Sequence, residues 1–247
     1  MKLSIVIPAF NEEDRLPRML EAYGAYFGGR YGGDVELLVV VNGSRDRTAE
    51  VAREIAGRHP CVRVMEETRR IGKGGAVRLG IREARGQKIG FVDADGATPP
   101  AAFDALVPAV EGRGAAIASR YARGSVVSPP QPLRRRFASR CFNALVRILF
   151  GLRLTDTQCG AKIFSREALL EILPHLGETQ WAFDVDMLFQ VKRHGYSIAE
   201  IPTEWHDIAG SKLRIVRASA NMFVAIFRLR LLYSPFRATV RLYRHVA

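Results

Sequence analysis

The stretch KIGFVDADGATPP, Lys88 to Pro100, ends an apolar run on two aspartates one residue apart. Asp93 and Asp95 repel each other, and burial at a strand end penalises both charges. A hard divalent cation removes that conflict. Carboxylates at i and i+2 can turn toward one site, where Mg2+ or Mn2+ takes oxygen ligands and bridges the phosphates of a bound molecule. So few protein ligands imply a diphosphate completing the shell. The competing reading is a solvated charged turn, and the buried run ahead of the pair weighs against it.

Three further apolar runs end on polar residues. In IPAFNEE, Pro8 lacks an N–H and stops a ladder, Phe10 offers a ring face to a base, and Glu12 can accept from a base or ribose. In VVNGSRDRT, Asn42 and Ser44 can hydrogen-bond a nucleoside, while Asp46 suits a helix start. In RRIGKGGA, Lys73 stands between glycines at a helix N-terminus, where anionic groups meet backbone N–H. Taken singly, each has a structural reading as a turn or cap. GKGGA matches neither the GxxxxGK[ST] loop nor the GxGxxG dinucleotide fingerprint, and NGS matches a glycosylation sequon.

These ends need strands to converge. LSIVIPAF, VELLVVV, VRVMEE, KIGFVDAD and GAAIASRY alternate with amphipathic helical patterns, the first of them expected from about Glu13 to Ala25. Continuous apolar strands between helices predict a mostly parallel sheet covered on both faces, an α/β three-layer sandwich. Ligands of such sheets bind outside the carboxyl ends of the strands. After a proline-rich break at GSVVSPPQP, LRRRFASRCFNALVRILFGLRL reads as an amphipathic helix over about 133–151, and a basic apolar helix is expected from about Ser211 to Tyr233.

The 247 residues, 48% hydrophobic, can bury a sizeable core. Cys61, Cys141 and Cys159 have no CxxC spacing, so neither a disulfide framework nor a zinc site is indicated, and MKLSIVIPAFNEE reads as a first strand rather than a signal peptide. The net charge of +12 is uneven. Gly112 to Thr155 and the chain after Asp207 contain no acid and hold 17 of the 37 basic residues; the remainder is net −5. Both basic segments interleave Leu, Ile, Val and Phe at helical spacing, which suits an anionic membrane surface better than a nucleic acid. No charge-free run reaches the ~20 residues a spanning helix needs.

IVIPAFNEE, NGSRDRT, GKGGAVRLG and VDADGAT, followed by DTQCGAKIF, WAFDVDML and GSKL, resemble in order and spacing the family 2 glycosyltransferases of GT-A fold, most closely the polyprenyl-phosphate hexose synthases that make dolichyl-phosphate glucose or mannose. The resemblance covers about residues 1 to 213. It implies a nucleotide-sugar donor held by Pro8, Ala9, Phe10, Glu12, Asn42, Ser44, Lys73, Asp93, Ala94 and Asp95, with Mg2+ or Mn2+ on Asp93 and Asp95. It also implies a polyprenyl phosphate acceptor held by Arg120, Arg134, Ser211 and Lys212. Asp95 and Asp184 are then the catalytic carboxylates, Asp184 corresponding to the general base of relatives with hydroxyl acceptors. The sequence departs from the family where Val41-Asn42 replaces two aspartates and where Ala97 replaces a glutamine. DADGAT leans toward the glucose branch.

On this reading residues 1–212 form the catalytic domain and 213–247 a basic amphipathic helical segment. The expected enzyme is an inverting, metal-dependent hexosyltransferase, peripheral on the cytoplasmic membrane face. The alternatives are a family 2 enzyme acting on a glycan or small-molecule hydroxyl and, more remotely, a basic nucleic-acid-binding protein.

Overall fold

The computed structural model describes residues 1–177, 182–206 and 215–234, with side chains of the last segment from 221 onward. The chain runs β1 (Leu3–Ala9), α1 (Leu16–Tyr31), β2 (Val35–Asn42), α2 (Thr48–Ala56), β3 (Val62–Glu67), α3 (Gly72–Glu83) and β4 (Lys88–Val92). It continues through α4 (Pro100–Asp104), α5 (Leu106–Ala109), β5 (Ala115–Ser119), β6 (Val126–Ser128), α6 (Leu133–Phe150), β7 (Ala161–Ser165) and α7 (Arg166–Ile172). Last come α8 (Phe183–Arg193), β8 (Ile198–Pro202), β9 (Glu204–His206) and α9 (Ile215–Leu232).

Seven strands form one sheet in the order β3-β2-β1-β4-β7-β5-β8, and β6 and β9 form a small second one. Every pairing in the large sheet is parallel except those of β7, which runs antiparallel to both β4 and β5. All eight residues of β2 are buried, as expected of a strand covered on both faces. The alternation of the strands divides the core. Ile5, Ile7, Leu37 and Val39 pack with Leu16, Leu20, Tyr23 and Phe27 of α1. Val6, Leu38 and Val40 face the other way, toward Val77 and Ile81 of α3 and a cluster shared with α6, α8 and α9. Burying each such aliphatic side chain contributes about 1.5–3 kcal/mol.

Strand order reverses beside β1: β2 and β3 extend one way and β4 the other. Sheets of this kind take their ligands in the crevice at that switch point, outside the carboxyl ends of β1 and β4, where Phe10 and Asp93 follow their strands.

Helix α1 starts at Leu16 rather than Glu13 and runs through the glycine pair Gly28-Gly29 to Tyr31. The backbone N–H groups of Glu12 and Glu13 are taken by the Thr48 hydroxyl and the Asp46 carboxylate, so the chain there serves the neighbouring loop before it coils.

Helices α6 and α9 pack together, with Phe142 edge-on to Phe223 at 6.2 Å. Phe142, Val146 and Phe150 dock α6 on the body of the protein. On its opposite side Leu133, Phe137, Cys141, Ala144 and Ile148 form one exposed apolar stripe at helical spacing, flanked by exposed Arg134, Arg136, Arg140 and Arg147. Helix α9 repeats the pattern: Ile226 and Leu229 are buried, while Val224, Phe227 and Leu231 face out between Arg228 and Arg230. No helix among the described residues is long and apolar enough to cross a membrane.

Candidate active site

The loops after β1 and β2 are stitched together by the residues the sequence singled out. Ser44 Oγ accepts from the Asn11 N–H at 3.1 Å, and Asn11 Oδ1 accepts from the Arg45 N–H at 2.9 Å. Asn42 is buried; its Nδ2 donates to the Ala9 carbonyl at 3.3 Å, while its Oδ1 has no protein partner. Asp46 accepts from the Thr48 N–H at 3.1 Å, which caps the start of α2. Two expected contacts are already engaged. The Glu12 carboxylate grips Arg15 through both oxygens, and the Arg70 guanidinium lies 4.4 Å from the centre of the Phe10 ring, which is half-buried. Gly43 makes that approach of Arg70 possible: its φ is +66°, and a Cβ there would lie 2.8 Å from the Arg70 backbone nitrogen.

At the end of β4 the two aspartates differ. Asp95 Oδ1 accepts from the Ala97 N–H at 3.0 Å, a short turn that turns the chain after the aspartates. Burial, and then the charge of Asp93, raise the Asp95 carboxyl above its ordinary pKa. Beyond it, Tyr23 Oη donates to the Thr98 carbonyl at 2.9 Å and the His206 N–H to the Ala97 carbonyl at 2.7 Å, so the loop is held from α1 and from β9. Ala94 and Ala97 are buried.

Asp93 faces a cation and a glycine. Lys73 Nζ lies 2.7 Å from Asp93 Oδ1 and 3.9 Å from Asp184 Oδ2. Asp184, at the first turn of α8, in turn accepts from Lys162 Nζ at 2.7 Å. Four alternating charges, Asp93, Lys73, Asp184 and Lys162, thus run inward from the strand end. Desolvation opposes charge on both Lys73 and Asp184, but the opposite charges beside them outweigh it: Lys73 is held above its usual pKa and Asp184 below. Gly160 packs directly on Asp93.

Arg120 and Arg134 part company. The Arg120 fork holds buried Asp156 through Nε at 2.7 Å and Nη2 at 2.9 Å, and its guanidinium lies 5.4 Å from the Trp205 ring centre. Arg135, not singled out by the sequence, lies 5.6 Å from the same ring, so Trp205 gathers two guanidinium groups at the ends of β5 and β9. Arg134 stands exposed at the first turn of α6. Ser211 and Lys212 lie outside the described residues. Lys162, Gly160, Arg70, Asp156 and Trp205 were likewise not picked out individually.

The donor set fits a divalent cation. Asp93 and Asp95 present hard carboxylate oxygens side by side, and burial, then the neighbouring charge of Asp93, raises the Asp95 pKa, a penalty that a cation at the pair would offset. No cluster of three or more His, Cys, Asp or Glu side chains able to hold a metal occurs among the described residues, so the ligand's own oxygens and water would complete the shell.

Comparison with known proteins gives the same site a context. The model of "Glycosyl transferase family 2" matches residues 4–173. The human dolichyl-phosphate beta-glucosyltransferase is 36% identical over 225 residues, 86% of this chain and 69% of that protein. The Saccharomyces cerevisiae protein of the same name is 33% identical over 253 residues, 94% of this chain and 75% of that one. A Trichomonas vaginalis relative, ALG5C, is 34% identical over 223 residues, 86% of this chain and 66% of its own length. In fold, the chain superposes on Mycobacterium tuberculosis glucosyl-3-phosphoglycerate synthase, solved with Mn2+, UDP and glucosyl-3-phosphoglycerate, with a TM-score of 0.71 at 20% identity, covering 93% of this chain and 79% of that one. A structure of that synthase with Mg2+ and UDP gives a TM-score of 0.70. The architecture is therefore GT-A-like, and the chain belongs to glycosyl transferase family 2, in the family of the dolichyl-phosphate beta-glucosyltransferases, and is a sugar-transferring enzyme.

Proposed function

We propose that the chain transfers a glucosyl group from UDP-glucose to the phosphate of a dolichyl-type polyprenyl lipid, working as a peripheral protein on the cytoplasmic membrane face. The observation that carries the lipid acceptor is the pair of exposed apolar stripes on α6 and α9, each flanked by arginines and without an acid. A helix docked by one face and apolar on the other, with basic flanks, suits the headgroup and acyl boundary of an anionic bilayer. The names of the relatives support the sugar and the acceptor, and the UDP in the fold neighbours supports the nucleotide.

In this reading an oxygen of the lipid phosphate attacks the anomeric carbon from the face opposite the diphosphate, the bond to the diphosphate breaks, and the anomeric configuration inverts. Asp93 and Asp95 would hold a divalent cation, which stabilises the charge developing on the leaving diphosphate. The phosphate acceptor is already anionic near neutral pH and needs positioning rather than deprotonation. Arg120 and Arg135, whose guanidinium groups meet on Trp205, would supply the positive charge that orients it.

The state of Asp184 supports a phosphate over a hydroxyl acceptor. A carboxylate held between two lysines, with its pKa below the ordinary range, is a weak general base. The test is a panel of UDP- and GDP-sugars offered with polyprenyl phosphate vesicles or with water-soluble hydroxyl acceptors. The proposal expects lipid-linked glucose from UDP-glucose; transfer to soluble acceptors alone, with no flotation of the protein on anionic vesicles, refutes it.

A further inference from the structure

Lys162 is wholly buried in β7, and its ammonium has two acceptors, the Cys159 carbonyl at 2.6 Å and Asp184 Oδ1 at 2.7 Å. A buried cation is costly, and an apolar side chain of similar volume facing a neutral partner often gives a fold as stable. Packing alone therefore does not account for a lysine here. Its effect reaches outward through the charges in line with it. Asp184 is shared: Oδ1 belongs to Lys162, and Oδ2 stands 3.9 Å from Lys73, beyond direct hydrogen-bond reach. Lys73 keeps its close contact, 2.7 Å, for Asp93 at the crevice mouth.

We infer that Lys162 is a positioning residue that satisfies Asp184 and so leaves Lys73 at the mouth of the site, where its ammonium meets the diphosphate of the donor. With the charge of Lys162 removed, Asp184 has one cation within reach. Lys73 closes on it and withdraws from Asp93 and from the phosphate side. The effect is on donor binding and passes entirely through Asp184, because no other acid pairs with Lys162 among the described residues. This inference rests on the reading of the crevice as a nucleoside-diphosphate site.

The experiment measures UDP affinity by calorimetry, with and without Mn2+, in the full chain and in Lys162→Met, Asp184→Asn and the double variant, alongside thermal unfolding. Lys162→Met is expected to weaken UDP binding at least about tenfold. In the Asp184→Asn background the same change is expected to alter UDP affinity by less than about twofold, since the carboxylate that captures Lys73 is gone. Lys162→Arg, which keeps the charge, restores affinity. If Lys162→Met does not fold, Lys162→Gln makes the same comparison in both backgrounds. Equal losses in the two backgrounds, or unchanged affinity in the single variant, overturn the inference. Failure of the unaltered chain to bind either UDP or GDP instead overturns the reading of the crevice.

Discussion

A Cβ on Gly160 would lie 2.2 Å from Asp93 Oδ2 and 2.6 Å from its Cγ. The residue just ahead of the antiparallel strand β7 therefore packs against the carboxylate of Asp93. Gly160→Ala is expected to push the Asp93 carboxylate out of position and lower kcat/KM about 100-fold, the scale of an ångström-sized misplacement. Steady-state kinetics of a variant whose circular dichroism matches the unaltered chain checks this.

Asp95 is placed for function against stability. Its folded pKa is raised, so its protonated form is favoured by the fold, and the stability linked to it is lost as pH rises through that folded value. Asp95→Asn is expected to raise Tm in EDTA at pH 7 by about 2–4 °C, the shift given by ~1 kcal/mol in a chain of this size, while abolishing metal-dependent transfer. Differential scanning calorimetry and a transfer assay on the same sample measure both halves.

On the proposed metal site, Mn2+ competes with protons at Asp95, so its stabilisation is expected to shrink as pH falls toward the raised pKa. Thermal shifts with saturating Mn2+ at pH 7.5 and pH 5 compare the two conditions. Equal shifts would place the cation away from Asp95.

The exposed stripe of α6 predicts a salt-sensitive attachment to anionic vesicles. Replacing Arg134, Arg136 and Arg140 by Gln is expected to weaken flotation on phosphatidylserine vesicles on the order of 100-fold, at ~1 kcal/mol per basic residue near the surface. Phe137→Glu is expected to abolish binding through its apolar contact while leaving soluble UDP binding intact.

Arg135 and the donor site are predicted to separate kinetically. Arg135→Gln is expected to raise KM for the lipid phosphate about tenfold, ~1.4 kcal/mol for the lost positive charge, with little change in KM for the nucleotide-sugar. Varying each substrate at saturation of the other measures the split.

The sequence carried the strand ends well because their signals are local. The two aspartates after KIGFV follow directly on the end of β4, whereas Pro8 does not stop its ladder: it pairs with Val40 on the parallel neighbour and β1 runs on to Ala9, while the glycines of GKGGA open α3. What escaped is non-local. Lys162 sits in AKIFS, a run whose burial pattern is the same whether the strand is parallel or antiparallel, and its partner Asp184 is 22 residues away. Gly160 matters only because β7 pairs antiparallel with β4, bringing it onto Asp93. Nothing in the sequence places Arg70 beside the Phe10 ring either; that contact goes with the close approach allowed by Gly43. The resemblance implies Arg120 as a phosphate ligand, but not that Asp156, 36 residues on, accepts from its Nε and Nη2.

The central claim, glucosyl transfer to a lipid phosphate at a site built on Asp93 and Asp95, is tested most directly by one incubation. The purified chain, Mn2+, radiolabelled UDP-glucose and vesicles containing polyprenyl phosphate are combined, and label is counted in the organic phase. The account predicts lipid-linked glucose that disappears with EDTA and with Asp95→Asn. Label that stays in the aqueous phase while the chain binds UDP, or lipid product that survives Asp95→Asn, would contradict it.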